Sequence, residues 1–212
     1  MIPLLHDFEG ETVLVVGGGP VGARKARRFA REARTVVVSP AFADRDFGDA
    51  ELVRAAPTPD DVREWVDRLA PALVVAATDD DAVNEAAETA ARDAGALVNR
   101  ADRAGGRDAG SVVVPATVRD GSVVAAVATG GAAPALSKEL RRRIEAEVEG
   151  AGAMADLVAE IRAEQKDAGV SATARRERVR AVVSSPEVWK ALQEGASNAR
   201  QEATRVMEEI DD

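Results

Sequence analysis

The apolar run Val13-Leu-Val-Val16 leads directly into Gly17-Gly-Gly-Pro-Val-Gly22. An uninterrupted apolar run of this kind reads as a strand buried on both faces, and the residues from Pro20 onward read as a helix. Gly17, Gly19 and Gly22 therefore carry the G-x-G-x-x-G spacing inside a strand-to-helix turn, which is the context that a dinucleotide fingerprint requires. Gly17 permits the tight turn, Gly19 the close approach of a pyrophosphate, and Gly22 the packing of helix on strand. The helix N-terminus adds free N–H groups and partial positive charge. The competing reading is a glycine-rich turn that binds nothing.

The rest of the first hundred residues alternates in type. Strands are expected at 12–16, 35–39, 51–55, 72–77 and 96–98, and helices at 20–33, 58–69 and 80–94, the last stopped by Gly95. This alternation implies an α/β fold with a doubly wound parallel sheet. The pattern then changes. Strands at 112–114, ended by Pro115, and 122–128 flank the turn signal Arg119-Asp-Gly121. A helix is expected over about 133–148, Gly150 and Gly152 mark a joint, and further helices are expected at 153–168, 173–183 and 186–210. In the last, Trp189, Leu192, Ala196, Ala199, Ala203, Val206 and Ile210 form a stripe, which serves either as an oligomer seam or as the core face of an ordinary helix.

Composition narrows the chemistry. The net charge of −9 argues against a nucleic-acid binder that relies on bulk positive potential. With no Cys and with His6 as the single His, thiolate sites, multi-His metal sites and Ser-His-Asp triads are excluded. The acidic N-terminal MIPLLHDFEG is not read as a signal peptide, and no stretch is apolar enough to span a bilayer, so a cytoplasmic protein is expected. His6, among Leu4, Leu5 and Phe8, is given a packing or surface role.

Further candidates fall where an open parallel sheet binds ligands, beyond the strand carboxyl ends. The second strand ends at Ser39-Pro40, without the acid that usually holds the ribose 2′-hydroxyl. Ser39 offers a weaker bond to that hydroxyl, while Arg24 or Arg45 would instead face a 2′-phosphate. NAD and NADP both stay open on this reading. Thr78 offers a hydroxyl to the cofactor, and of Asp79–Asp81 at least two are expected to cap the next helix. Asp102, after Leu97-Val-Asn-Arg-Ala, emerges near the expected nicotinamide face, where a carboxylate takes a proton as a hydride leaves a neighbouring carbon. Its plain alternative is a turn Asp before the glycine-rich 104–110 loop. Thr129 is a candidate cap, and the N–H groups of Gly130 and Gly131 suit a carboxylate. Lys138 with Arg141, Arg142 and Arg143 suggests a local anion site or, more simply, a solvated helix rich in ion pairs.

Taken in order, PLLHDFEGETVLVVGGGPVGARKARRF, AATDDDAVN, VNRAD and VPATVRDGSVVAAVATGGAAPALSKELRRRIE resemble the precorrin-2 dehydrogenase/sirohydrochlorin ferrochelatase family, the N-terminal module of siroheme synthases. The resemblance covers essentially the whole chain. It implies a Rossmann-like NAD-binding domain over 1–111, a small α+β dimerisation region over 112–150 and a helical C-terminal domain over 151–212. It also implies a homodimer and NAD-dependent oxidation of precorrin-2 to sirohydrochlorin. The family's catalytic Asp falls on Asp102. Its cofactor contacts fall on Gly19, Pro20 and Val21, on Ser39, Pro40, Ala41 and Phe42, and on Thr78. On the substrate side lie Asn99, Thr129, Gly130, Gly131 and Lys138, with Arg103, Arg107 and the Arg cluster suiting a polycarboxylate.

Two departures from the family pattern stand out. The loop after Asp102 is longer and glycine-rich, which makes Asp108 the fallback for Asp102. No His is present in the helical part, so no metal ligand is assigned, and iron insertion would fall to Asp102 alone. The expectation is a dehydrogenase without the fused methyltransferase. The alternative class is a nucleotide-sensing regulatory module, with no catalysis, that acts through its helical tail.

Overall fold

The computed structural model describes residues 2–103, 111–131 and 133–211. The chain divides into two compact units, Met1–Val114 and Pro115–Asp212.

In the first unit, β1 (Thr12–Val16), α1 (Pro20–Phe29), β2 (Arg34–Ser39), β3 (Glu51–Arg54), α2 (Pro59–Leu69), β4 (Leu73–Ala76), α3 (Asp81–Asp93) and β5 (Leu97–Arg100) succeed one another. The five strands are all parallel, in the order β3-β2-β1-β4-β5. The winding reverses between β1 and β4, so the glycine turn after β1 and the Thr78 turn after β4 share the switch point.

Strand alternation divides the apolar residues between two cores. Leu14, Val16, Val36, Val38, Val74 and Ala76 meet α2 and α3 through Val62, Val66, Val83 and Ala87. Val13, Val15, Val37 and Val75 meet α1 through Ala23, Ala26 and Phe29. Each such Val or Leu, fully buried, contributes about 1.5–3 kcal/mol, and burial on both faces explains the unbroken apolar runs. The local signals hold as well. Thr58 and Asp61 form a capping box at α2. At α3, Gly95 takes a left-handed φ of 71° and Ala96 N–H donates to Ala91 O at 2.8 Å, which is a Schellman ending.

The second unit begins with a hairpin, β6 (Ala116–Asp120) and β7 (Val123–Val127), closed by Gly121-Ser122. This corrects the strand expected at 112–114. Those residues form no strand, because the backbone contact there is confined to a single bridge between Ser111 and Val98. Val112 N–H donates to Val98 O, and its carbonyl accepts from Asn99 Nδ2. The true partner of β7 starts after Pro115, in the register that the Gly121-Ser122 turn sets.

Then come α4 (Pro134–Glu147), α5 (Ala151–Asp167), α6 (Ala172–Ser184), α7 (Pro186–Glu194) and α8 (Ala196–Asp211). The single helix expected over 186–210 is thus two. Gly195 separates them at φ 132° and ψ 156°, an extended conformation that only glycine adopts readily. Helices α5–α8 share a third core of Met154, Leu157, Ile161, Val182, Val188, Ala191, Ala199 and Ala203. Ala199 and Ala203 of the stripe face this core, which favours the core-face reading over the oligomer seam at those positions. Among the described residues no helix is long and apolar enough to cross a membrane.

Candidate cofactor and active site

Local space distinguishes the three fingerprint glycines. A Cβ on Gly17, which sits at φ 118°, would lie 2.3 Å from Ala77 O, and one on Gly22 would lie 1.9 Å from Gly17 O. Both positions are closed by neighbouring backbone. A Cβ on Gly19 would meet nothing within 4 Å, so the surface beside it is open. Gly19 is also the N-cap of α1 and gives no side-chain cap, and Pro20 lacks an N–H. The amides of Val21 and Gly22 are thus among the helix's free first-turn donors. An open, uncapped helix start beside a backbone with no Cβ fits a dinucleotide pyrophosphate.

The loop after β2 folds across this turn. Ala43 N–H donates to Gly18 O at 2.8 Å, and a Cβ on Gly18 would clash with Ala41 O and the Phe42 ring. Ser39 is buried, and its hydroxyl donates to Ala41 O at 2.7 Å. Its proton is therefore used in shaping the Pro40–Phe42 bend, leaving only acceptor capacity for a ribose. Arg24 and Arg45 are exposed. Arg54, which pattern reading missed, stands opposite Ser39 in the sheet register, donates to Pro40 O at 3.0 Å and lies over the Phe42 ring. The parallel β2–β3 pairing creates that placement across fifteen residues, so no local spacing signals it.

At the end of β4, Thr78 is locked to Asn84, a fully buried side chain also missed by pattern reading. Thr78 N–H donates to Asn84 Oδ1 at 3.1 Å, the Thr78 hydroxyl donates to the same oxygen at 2.8 Å, and Asn84 Nδ2 donates to Thr78 O at 2.8 Å. Of the three successive acids only Asp80 caps α3, accepting from Ala82 and Val83 N–H, while Asp81 is the first helical residue. The expectation of at least two capping acids is corrected, since one Ncap position exists per helix.

At β5, Asn99 is buried and donates to Val112 O, while its Oδ1 has no partner among the described residues. That leaves an acceptor at the ligand-binding edge of the sheet. Asp102 lies just past the strand. Its Oδ1 accepts from Arg100 Nε at 2.9 Å and its Oδ2 from Arg100 Nη2 at 2.6 Å. This guanidinium holds the Asp102 carboxyl below the usual carboxylate range, against the opposing effect of burial. Arg100 also donates to Glu88 on α3 at 2.6 Å. Arg107 and Asp108 lie outside the described residues.

In the second unit, Gly130 and Gly131 are exposed and left-handed, at φ 65° and 87°. Thr129 is not the α4 cap. The helix starts at Pro134 after an Ncap Ala133 that gives no side-chain bond, because the two glycines carry the chain past Thr129. The Thr129 hydroxyl instead shares a 2.7 Å hydrogen bond with Ser137. Lys138 is exposed. Arg142 and Arg143 pair with Glu139, and Arg141 pairs with Glu145, so the Arg cluster is largely a self-neutralised helix face. His6 is exposed and its ring lies against Phe8 at a tilt of 51°, in keeping with a packing or surface role.

A family model described as "Putative NAD(P)-binding" matches residues 4–116, which contain the whole parallel sheet. The siroheme synthase of Methylococcus capsulatus is 34% identical over 202 residues, 93% of this chain and 41% of that protein. The chain belongs to the NAD(P)-binding family of precorrin-2 dehydrogenases and siroheme synthase N-terminal modules. In this family, the siroheme synthase of Stutzerimonas stutzeri is 35% identical over 78% of the chain and 35% of its own length. The chain thus spans well under half the length of these siroheme synthases. The precorrin-2 dehydrogenase of Methanosarcina barkeri matches nearly end to end, at 29% identity over 97% of this chain and 93% of that protein. A solved structure titled "SirC, precorrin-2 dehydrogenase" superposes with a TM-score of 0.71 at 24% identity, covering 99% of this chain and all of that one. This likeness shows the family fold: the parallel sheet, the hairpin and the helical part.

Proposed function

We propose that the chain is a cytoplasmic precorrin-2 dehydrogenase that oxidises precorrin-2 to sirohydrochlorin with NAD. The observation that carries this reading is the sheet edge itself. The open Gly19 cradle and the Asp102 carboxylate lie beyond the carboxyl ends of β1 and β5, and Asn99, whose Oδ1 has no partner among the described residues, is the penultimate residue of β5. The end-to-end match to a precorrin-2 dehydrogenase supports the substrate.

On this reading Gly17, Gly19, Pro20, Val21 and Gly22 cradle the pyrophosphate. Ser39, Pro40, Ala41 and Phe42 bound the adenosine side, and Thr78 shapes the wall between. Asn99 accepts a hydrogen bond from the bound ligand. Thr129, Gly130, Gly131 and the exposed Lys138 take substrate carboxylates, while Asp102 is the catalytic carboxylate of the oxidation. Bound NAD would supply the hydride acceptor, and the protein's task is alignment.

A homodimer built on the hairpin and α4 belongs to the same reading. Helix α4 buries none of its own residues, and Leu136 is 51% exposed. The test is precorrin-2 oxidation by the purified chain, monitored as NADH absorbance and compared for NAD and NADP. Metal insertion into sirohydrochlorin is measured separately without NAD. Absence of NAD-dependent turnover overturns the reading.

A further inference from the structure

The edge of β5 carries a charge arrangement that dinucleotide binding does not require. The Arg100 side chain is 5% exposed and its guanidinium is divided. Nη1 donates to Glu88 Oε2 at 2.6 Å, while Nε and Nη2 donate to the two Asp102 oxygens. Glu88 is itself buried on α3, held from its other oxygen by Arg92 at 2.6 Å, with Arg103 3.9 Å away. Asp102 remains 17% exposed. The neighbouring strand β4 ends in apolar Ala76, and β1 beyond it in Val16. Buried ions are costly unless fully paired and are weak devices for stability alone. Here one of them, Arg100, held from behind by the other, Glu88, grips a partly open carboxylate at the ligand edge, in the bidentate geometry that fixes orientation best.

We propose that Arg100, anchored by Glu88, is the positioning residue that presents Asp102 as a fixed anion to the reduced macrocycle during its oxidation. The proposal rests on the dehydrogenase reading. In that reaction a C–H bond of precorrin-2 breaks and both its electrons leave with the hydrogen to nicotinamide C4. The macrocycle carries one added positive charge until it releases a proton. Sirohydrochlorin, NADH and one proton result. A fixed anion favours the cationic stage. A carboxylate whose two oxygens already accept from Arg100 is a weak proton acceptor, so the proton passes to water and Asp102 acts as the counter-charge.

The experiment compares the full chain with Arg100→Lys, Arg100→Met and the double variant Glu88→Gln/Arg100→Met, which removes both buried charges together and guards against misfolding. Two readouts are taken: steady-state kinetics across the acidic range, and carbon NMR titration of the Asp102 carboxyl. Arg100→Met is expected to lose on the order of 100-fold in kcat with the KM for NAD nearly unchanged. An acid limb should appear near the ordinary carboxylate pKa of about 3.9, and the NMR titration should move up with it. Arg100→Lys, a point charge without the fork, should recover kcat only in part. A folded Arg100→Met or double variant with unaltered kcat and pH profile overturns the proposal, as does an Asp102 that titrates at the ordinary value in the unaltered chain. No turnover by the unaltered chain, with Asp102 still titrating low, overturns the dehydrogenase reading and reduces the pairing to a structural one.

Discussion

At the scale of single residues, the site is decided by which groups still have a free valence. Gly19 and Gly22 make the sharpest pair. Gly19 has ordinary backbone angles and open space where a Cβ would go, so Gly19→Ala should fold with unchanged stability yet weaken NAD binding at least tenfold, measured by calorimetric titration. Gly22→Ala forces a Cβ to 1.9 Å from Gly17 O and should lower the unfolding free energy, measured by urea denaturation, before any ligand is added. Asp102 allows a pH prediction. Its folded-state pKa is depressed, chiefly by the Arg100 donors. Its contribution is therefore complete above the unfolded value of about 3.9 and disappears as pH falls through the lower folded value. The stability gap between the unaltered chain and Asp102→Asn should be open at neutral pH and close on acidification. The glycine roles were legible because the fingerprint is local. The Arg100–Glu88 bond spans twelve residues and joins a strand to a helix, and no spacing rule encodes such a meeting.

At the scale of elements, apart from Thr129 and the second acid expected to cap α3, caps and breakers act as the sequence suggests, with one exception that tertiary packing supplies. Ser185 is buried, accepts from Val188 N–H at 3.3 Å and donates to Glu187. Ser185→Ala should destabilise the helical unit by about 1 kcal/mol, measured by chemical denaturation. The exception is the break between α7 and α8. Apolar periodicity runs on through Gly195 without a signal strong enough to end a helix, since an isolated glycine in a helix costs only about 1 kcal/mol. Here the third core turns α8 so that Ala199 and Ala203 are fully buried, and the chain bends at the one residue that tolerates φ 132°. Gly195→Ala is expected to cost about 1–3 kcal/mol through backbone strain, with helical content by circular dichroism preserved. A straightened, equally stable helix would contradict that origin for the bend.

At the scale of the whole molecule, the two units differ in how they meet their own needs. The first has a sheet covered on both faces, whereas the hairpin and α4 of the second leave nearly all their apolar surface half-buried or exposed. If that face joins two copies, Leu136→Glu should convert a dimer to a monomer in sedimentation equilibrium while NAD binding persists. In the first unit the order of strands and helices, the two-faced sheet and the position of the glycine turn come from the sequence alone, because apolar period and glycine spacing are local properties that burial enforces. Tertiary structure alone decided which polar groups are spent and which stay open. Ser39 and Thr78 turn their hydroxyl protons inward, Asn99 keeps one oxygen without a partner among the described residues, and Arg100 clamps Asp102. Those outcomes depend on partners brought together across the sheet edge, where desolvation makes each buried group seek whichever donor or acceptor the fold happens to place beside it.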